Sequence, residues 1–397
     1  MKILVTAFVY LGEDAGSTHV FEIWRHLAKQ HQVTILLPQA SEIQVQTFNQ
    51  IISPRVIRFV PGTRRWPGGG LVRRFGYVLT AAWYEFYVFG YLVGHAVDAI
   101  YVRLMYSSIS PLFFRWFHRP YVVEVNGLAH LGSVVLRRNL LIRLTMSWQA
   151  LIERRILRGA RQVVTVTEKL SQVLSRIYGL ERQSITVVPN GADPDLFQPI
   201  DSARQTVSLE PQTIYLGFAG HLAPWQGIEY VVRALALLPK DVQALVIGQG
   251  PMKQAWESLA AELGVADRCR FTGLVPYPQV PIYLNACDIM VAPFTARRNA
   301  DLGISPLKLY EYMACAKPVL TTDVPGVAEV VRKYDCGLVV PAEDAQELAK
   351  GVTQLLQRRA EWAAMGQRGR QAVIDGFSWA AQAAKVERVV LAAAKRS

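Results

Sequence analysis

Cysteine is scarce and scattered in this chain of 397 residues. Its four cysteines are Cys269, Cys287, Cys315 and Cys336, and no two of them have the spacing of zinc ligands or of a Cys-x-x-Cys motif. The sequence therefore disfavours a disulfide framework and a metal-binding module. We expect reduced thiols in the core of a cytoplasmic protein.

Long, uncharged apolar runs are also missing. The run Ile3 to Val5 is too short for a secretion signal and predicts a first β-strand instead. The stretch Phe75 to Val97 is long enough to span a bilayer, but Glu85 lies at its middle, where a charge is costly. Because the stretch is rich in aromatic residues, two interpretations stay open: a helix resting on a membrane surface and a helix buried in a domain.

Acidic residues are few in the first half of the chain. Residues 1–200 contain 22 Lys+Arg against 12 Asp+Glu, so they carry +10 of the total net charge of +12. No zinc-finger spacing and no aromatic–basic ribonucleoprotein motif accompanies this charge, which argues against nucleic acid as a partner. An anionic membrane surface or a phosphorylated acceptor is the preferred partner, and a solvated arginine-rich surface is the alternative.

Hydrophobic residues make up 51% of the chain, enough for two domain cores. Continuous apolar runs alternate with helical patterns in both halves, as in parallel strands that are covered on both faces. The expected fold class is α/β, with two Rossmann-like β/α/β domains joined near Asp193–Pro199. Strands are predicted at Lys2–Ala7, Gln32–Leu37, Ala99–Val102, Tyr121–Val125, Gln162–Val166, Ser184–Val188, Tyr215–Ala219, Ala244–Ile247, Arg270–Thr272, Ile289–Ala292, Pro318–Thr321 and Gly337–Val340.

The segment from Gly303 to Pro318 predicts a helix with a ligand at its start. Ser305 suits the N-cap and Pro306 the first helical position, and the helix should run to about Ala316. The free N–H groups and partial positive charge of a helix N-terminus suit an anion such as a diphosphate.

Lys308 and Glu311 are three residues apart, so they share one face of this predicted helix. One side chain can meet a phosphate and the other a sugar hydroxyl. The alternative is a surface helix that carries an exposed Lys–Glu pair.

Two glycine-bearing turns follow predicted strands. Gly248-Gln-Gly250-Pro251 allows a tight turn and a close approach of backbone to a ligand, although a plain β/α turn explains it as well. The segment Gly12 to Ser17 lacks the full Gly-x-Gly-x-x-Gly spacing, and Pro38-Gln39 stands where an acidic residue would follow the second strand. A dinucleotide site is therefore disfavoured.

Taken together, these segments resemble glycosyltransferase family 4, whose members are retaining enzymes of the GT-B fold. The resemblance covers nearly the whole chain. It rests on an ordered series of segments: Gly16-Ser-Thr-His19, Val187-Val-Pro-Asn-Gly-Ala-Asp193, Phe197-Gln-Pro199, Gly220, Pro224-Trp-Gln-Gly227, Val246-Ile-Gly-Gln-Gly-Pro251, Phe271-Thr-Gly273, Ala286-Cys-Asp288, Leu307 to Val319 and Phe377-Ser-Trp379.

The resemblance implies two domains that face each other across a cleft. Residues 1–194 with 379–397 would form the acceptor-side domain, and residues 195–378 the domain that binds the donor nucleotide. The final helix, from Trp379, would cross back onto the first domain.

The resemblance also implies donor-binding roles. Glu311 would contact the nucleotide ribose, backbone at Leu274 and Val275 would read the base, and the amides near Ile304 and Ser305 would hold the sugar or diphosphate. The full expected set is Gly16, Ser17, His221, Gln226, Gly227, Gly248, Gly250, Pro251, Leu274, Val275, Gly303, Ile304, Ser305, Lys308, Leu309 and Glu311.

Candidates for acceptor binding follow strands of the first domain. They are Arg103, Glu124, Asn126 and His130, of which His130 also reads as an incidental loop residue. Lys308, Glu311 and His130 are the candidate catalytic residues, and we expect no covalent nucleophile.

The chain departs from the family pattern at three positions. Gly303 replaces the first of two glutamates, and His221 and Gln226 stand where many relatives carry an arginine and a lysine for the diphosphate. We expect Lys308 and the helix N-terminus to supply most of the missing stabilisation.

The predicted function is the transfer of a hexose-type sugar from a UDP- or GDP-sugar to a hydroxyl of a glycan, a lipid-linked intermediate or a small acceptor. The resemblance implies retention, no metal and no cofactor besides the sugar nucleotide as co-substrate. A cytoplasmic enzyme, peripheral on the inner face of the membrane, fits the basic first half. A non-hydrolysing sugar-nucleotide epimerase and a sugar-nucleotide-binding protein that has lost catalysis are the alternatives.

Overall fold

The computed structural model describes residues 1–9, 15–38, 56–63, 70–105, 108–114, 119–128 and 140–395, with backbone alone at 15–17, 70–75, 140–147 and 298. The Cα positions divide the chain into two compact units. Unit 1 comprises Met1–Val188 with Gln382–Ser397, and unit 2 comprises Pro189–Ala381. The assignment of acceptor and donor to the two domains stays a prediction.

Unit 1 contains a sheet of seven parallel strands in the order β3-β2-β1-β4-β5-β6-β7. The order reverses between β1 and β4, which is the topological switch point of a doubly wound sheet. The strands are β1 (Lys2–Thr6), β2 (Gln32–Pro38), β3 (Ile57–Val60), β4 (Ala99–Arg103), β5 (Tyr121–Val125), β6 (Gln162–Thr165) and β7 (Ile185–Val187).

The helices of unit 1 connect these strands, and the last of them has recognisable start and stop signals. It begins after Thr167, whose hydroxyl accepts the N–H of Leu170 at 3.0 Å, and it ends at Gly179, which has a φ of 67°. The helices are α1 (Ala15–Leu27), α2 (Gly70–Gly94), α3 (Pro111–Phe114), α4 (Leu140–Gly159) and α5 (Glu168–Tyr178).

Unit 2 repeats the plan with six parallel strands in the order β10-β9-β8-β11-β12-β13. Its switch point lies between β8 and β11. The strands are β8 (Ile214–Ala219), β9 (Val242–Ile247), β10 (Cys269–Gly273), β11 (Ile289–Ala292), β12 (Val319–Thr322) and β13 (Gly337–Val340).

Ten α-helices begin in unit 2. The last of them continues into unit 1, because Gln382–Ser397 belongs to unit 1. There, Glu387 Oε1 of this helix lies 2.7 Å from His31 Nε2. The predicted return of the final helix to the first domain is confirmed. The helices are α6 (Ala203–Thr206), α7 (Ile228–Leu235), α8 (Lys253–Glu262), α9 (Val280–Ala286), α10 (Ala296–Asn299), α11 (Leu307–Ala314), α12 (Ala328–Tyr334), α13 (Ala345–Gln357), α14 (Trp362–Ala372) and α15 (Trp379–Lys395).

The central strands are buried along most of their length. Every residue of β8 and β11 is buried, which is why these strands read as continuous apolar runs rather than as alternating ones. The predicted α/β fold with two Rossmann-like domains is confirmed. One strand, β3, escaped prediction because only its two end residues, Ile57 and Val60, are buried and its middle is polar or half-exposed.

Helix α2 contains the apolar stretch whose role the sequence left open. Glu85 at its middle is buried, and its carboxylate accepts the backbone N–H groups of Ile109 (3.0 Å) and Ser110 (2.5 Å), just before α3. Tyr84 donates its hydroxyl to Leu36 O at 2.7 Å and accepts the N–H of Ala7 at 2.9 Å, which joins α2 to the ends of β1 and β2. One face of α2 therefore packs inside unit 1.

The opposite face of α2 is apolar and exposed. Within the residues that the structure describes, no helix has the length and apolar composition to cross a membrane. The exposed side chains form a stripe, defined by Val78, Leu79, Trp83, Phe86 and Val93, with Phe86 at 64% exposure. The packed face of α2 supports a helix buried in a domain, and the exposed apolar face supports a helix that rests on a membrane surface.

Candidate functional site

Helix α11 begins one residue later than the sequence predicted, at Leu307 instead of Pro306. Ser305 is not its N-cap, because the Ser305 hydroxyl accepts the N–H of Asn190 at 2.9 Å and is hydrogen-bonded to the Tyr310 hydroxyl at 3.0 Å. Pro306 takes the cap position with extended backbone instead of the first helical position. The helix ends at Ala314 rather than Ala316. The predicted caps were wrong because the serine hydroxyl is bound by Tyr310 and by the backbone of Asn190, which is distant in sequence.

Lys308, in the first turn of α11, is buried. It has 8% exposure, and its ammonium donates to Gln226 Oε1 at 2.9 Å and lies 3.6 Å from the ring centroid of Phe218. Neither partner carries a negative charge. Burial lowers the pKa of Lys308 well below its usual value, and the carboxyl of Glu311 only partly opposes this.

Glu311, one turn later, is buried as well, with 7% exposure. Its Oε1 accepts the hydroxyl of Tyr277 at 3.0 Å, and in the described part of the chain no ion pair joins it to Lys308. Burial raises the pKa of Glu311 to about 7, against the lowering effects of the Tyr277 hydrogen bond and the Lys308 charge. The alternative of an exposed surface Lys–Glu pair is therefore wrong.

Two glycines let the turns after β8 and β9 pass close to Lys308. A Cβ at Gly220, where φ is 142°, would lie 2.7 Å from Lys308 Nζ. A Cβ at Gly248, where φ is 136°, would lie 2.0 Å from the carbonyl oxygen of Gly220. Only glycine fits both the backbone conformation and the space at these positions. The two turns and the start of α11 thus lie together at the carboxyl ends of neighbouring strands.

We expect Gly220→Ala to impair use of the donor, because the new methyl group must push the Lys308 ammonium away from its present place. The donor KM should rise about tenfold or more, since a displacement of about 1 Å at a binding group can cost this much. Steady-state kinetics with the preferred sugar nucleotide measure it.

Gly264→Ala is the matched control. Gly264 also has a positive φ, 66°, but its Cβ would have nothing within 4 Å. Alanine at this left-handed position costs less backbone strain than at Gly220, and we expect unchanged donor kinetics. Equal kinetic effects of the two substitutions would contradict the role given to Gly220.

The structure describes the surroundings of the other expected donor residues of unit 2. Gly227 has a φ of 70°, and a Cβ added there would lie 1.9 Å from Pro293 O. A Cβ added at Gly250 would lie 2.4 Å from Leu222 O. The expected backbone donor at Ile304 already donates to Pro325 O at 2.9 Å. His221, Pro251 and Leu274 are exposed, and Gly303, Val275 and Leu309 range from half-buried to buried. The roles of these residues stay predictions.

The sequence missed two side chains of this site. Phe218, in β8, looked like an ordinary core residue, although it provides the ring beneath Lys308. Tyr277 follows the expected base-reading pair Leu274 and Val275 by two residues, and that proximity was the one available signal for it.

In unit 1, the expected acceptor residues Arg103, Glu124 and Asn126 lie together. Glu124, at 1% exposure, accepts the Tyr101 hydroxyl at 2.8 Å, Arg103 at 2.7 Å and the Asn126 amide, and His19 Nε2 lies 3.1 Å from it. Burial alone would raise the pKa of Glu124, but the charges of His19 and Arg103, together with hydrogen bonds from His19 and Asn126, hold it well below its usual value.

The remaining first-domain candidates are less well defined. Gly16 and Ser17 lie in the first turn of α1, which also carries His19, and only their backbone is described. His130 lies outside the described residues. Among the residues that are described, no group of three or more His, Cys, Asp or Glu side chains is placed to hold a metal ion.

Two family models match this chain in succession. The one described as Glycosyltransferase Family 4 matches residues 16–196, and the one described as Glycosyl transferases group 1 matches residues 200–372. The chain belongs to the family 4 glycosyltransferases. The second match contains the Lys308–Gln226 contact and Glu311, and the first contains the Glu124 cluster.

Similar proteins agree with this family assignment. The family 4 chain is 30% identical over 234 residues to the 2-deoxystreptamine glucosyltransferase of Streptomyces kanamyceticus, covering 57% of this chain and 59% of that protein. It is 31% identical over 241 residues to the D-inositol 3-phosphate glycosyltransferase of Nocardia farcinica, covering 57% and 52%. The chain thus spans between half and three fifths of the length of these relatives.

The fold has close counterparts among solved structures. The sucrose-phosphate synthase of Thermosynechococcus elongatus superposes with a TM-score of 0.80 over 100% of both chains, at 20% sequence identity. At this identity, the similarity establishes the shared GT-B fold.

Proposed function

We propose that this family 4 chain transfers a hexose-type sugar from a UDP- or GDP-sugar to an acceptor hydroxyl, with retention at the anomeric carbon. The observation that carries the proposal is the Lys308 ammonium, buried with the neutral partners Gln226 and Phe218. A buried ammonium whose direct partners are neutral is costly, and this cost favours the binding of an anion beside it. A nucleoside diphosphate supplies that anion.

In the proposed reaction, the bond between the anomeric carbon and the β-phosphate oxygen breaks, and its electron pair stays on the diphosphate. Lys308 stabilises the charge that develops there, because it is preorganised and shielded from water. The acceptor oxygen attacks from the same face and forms the new glycosidic bond. Its proton passes to the departing phosphate, so no metal ion and no covalent nucleophile is required.

Glu311 is proposed to accept hydrogen bonds from the ribose of the donor. Tyr277 already donates to one oxygen of its carboxylate, which fixes the orientation of the side chain and leaves the other oxygen for a ribose hydroxyl. The support is that a buried carboxylate in the same helix as Lys308 places a ribose contact one helical turn from a phosphate contact.

The proposal is tested by incubating the full chain with UDP- and GDP-sugars and following nucleoside diphosphate release, with the anomeric configuration of the transferred or released sugar read by NMR. We expect release of one nucleoside diphosphate and a retained configuration. Inversion would contradict the retaining mechanism. Epimerised sugar nucleotide without release would support an epimerase, and binding without turnover would support a sugar-nucleotide-binding protein.

The acceptor is proposed to be a small polyhydroxylated compound, a glycan or a lipid-linked intermediate of an envelope polysaccharide. One relative is named for 2-deoxystreptamine and another for D-inositol 3-phosphate. These names support a hydroxyl acceptor of the small, ring-shaped kind.

The apolar stripe of α2 is proposed to rest on the inner, cytoplasmic face of a membrane. Apolar and aromatic side chains favour the interfacial zone, and the net charge of +10 in residues 1–200 favours an anionic leaflet. We expect the chain to cosediment with vesicles that contain anionic lipid more than with neutral ones. The double variant Phe86→Ser, Val93→Ser should lose most of this binding.

The control for the stripe is Ile374→Ser, which removes an exposed apolar side chain, 44% accessible, from unit 2. It should leave vesicle binding unchanged. If the α2 variant sediments with vesicles as well as the unmodified chain does, the stripe is not a membrane contact.

A further inference from the structure

The switch point of the unit 1 sheet holds a cluster of polar side chains that the donor chemistry does not use. Arg103 ends β4, Glu124 lies in β5, the strand beside it, and His19 lies in α1, which follows β1. Ligands of open parallel sheets bind at the carboxyl ends of the strands next to the switch point. The Glu124 cluster is therefore placed where a ligand of unit 1 is expected.

Glu124 itself has little capacity left for a ligand. A carboxylate offers roughly four lone-pair sites, and four side chains already lie within hydrogen-bonding distance of this one: Tyr101, Arg103, His19 and Asn126. The side chain is also 1% exposed. Its function is internal, and it fixes the groups that surround it.

Arg103 is the opposite case. Its side chain is 10% exposed, and in the described residues its one hydrogen bond runs from a terminal nitrogen to Glu124 Oε1 at 2.7 Å. A guanidinium carries five N–H donors in a rigid fork. Among the described residues, most donors of this largely buried cation thus have no partner, and Glu124 holds the fork in one orientation.

We propose that Arg103 binds an anionic group, a phosphate or a carboxylate, on the acceptor substrate. Both groups match the fork of a guanidinium with two parallel hydrogen bonds, which gives orientation as well as affinity. That the anion belongs to the acceptor substrate rests on the proposed glycosyl transfer. The anion site itself rests on the geometry of Arg103 and Glu124 alone.

The test measures binding to the full chain by isothermal titration calorimetry. The ligands are glucose 6-phosphate, glucuronate, inorganic phosphate and glucose, and every titration is done in the Lys308→Met background, which removes the lysine proposed to contact phosphate in unit 2. We expect glucose 6-phosphate or glucuronate to bind at least about tenfold more tightly than glucose, in keeping with a charge-assisted bidentate contact. The stronger of the two identifies the anion as phosphate or carboxylate.

Arg103→Gln should abolish this preference, and Arg103→Lys, which keeps the charge beside Glu124 but loses the fork, should reduce it. Arg176→Gln removes an exposed arginine of the same unit and should leave it unchanged. The proposal is overturned if none of the three anions binds in an Arg103-dependent way, or if Arg103→Gln keeps the preference. Loss of nucleoside diphosphate release is a separate readout and would overturn the transfer reaction without touching the anion site.

Discussion

Lys308→Met is expected to lower kcat/KM for the sugar nucleotide by at least about 100-fold, or about 3 kcal/mol of transition-state stabilisation. Methionine is similar in length and fills the space above Phe218, but it provides no charge for the departing diphosphate. Nucleoside diphosphate release at varied donor concentration measures the loss. An undiminished kcat/KM would remove Lys308 from the proposed mechanism.

The same substitution should not destabilise the free protein. Burial lowers the pKa of Lys308 in the folded chain. The unfolded chain therefore takes up this proton more readily, and the stability of the unmodified chain falls as the pH is lowered from above the ordinary pKa of lysine through the lowered pKa of Lys308. Lys308→Met lacks this loss. Its advantage in thermal unfolding should therefore be larger at pH 7 than above pH 10.

Lys317→Met is the matched control for Lys308. Lys317 follows the same helix, its ammonium donates to Asn285 O at 2.7 Å, and burial lowers its pKa too. It lies beyond the other end of α11, away from the glycine turns. We expect an unchanged kcat/KM, which separates the effect of one specific charge from the general effect of removing a buried lysine.

Glu311→Gln is expected to remove a pH dependence centred near pH 7. The pKa of Glu311 is raised to about 7, so its carboxyl group ionises in that range and becomes a better acceptor for ribose hydroxyls. The donor KM of the unmodified chain should fall as the pH rises from 6 to 8. The variant should show a KM several-fold higher at pH 8 and little change with pH.

Stability should respond to Glu311 with the opposite trend. A carboxyl whose pKa is raised in the folded state stabilises the fold below the unfolded value of 4.5, and this contribution is lost as the pH rises through about 7. Between pH 6 and pH 8 the unmodified chain should lose about 1 kcal/mol relative to Glu311→Gln. Parallel denaturation curves at the two pH values would contradict the raised pKa.

The fold was predictable because its information is local. Strands such as β8 and β11 are buried on both faces and read as unbroken apolar runs, and such runs in both halves of the chain identified two parallel sheets. The edge strand β3 mixes buried and polar residues, so its sequence carries no comparable pattern. Periodicity thus revealed the strands at the centre of each sheet and missed one at an edge.

The site was predictable only in part. The spacing of Lys308 and Glu311 placed them on one helix, but their burial depends on Phe218, Gln226 and Tyr277, which lie far away in sequence. The same holds for Ser305, whose suitability as a cap was overridden by Asn190. Contacts between distant segments decide charge and solvation, and no local pattern encodes them.

Lys308 is proposed to bind the diphosphate of the donor. Calorimetric titration of the full chain with UDP, UMP, GDP and GMP measures this binding. For the nucleotide that binds, we predict that the diphosphate binds at least about tenfold more tightly than the monophosphate, and that Lys308→Met removes this difference while leaving monophosphate binding unchanged. A diphosphate preference that persists in Lys308→Met would contradict the account.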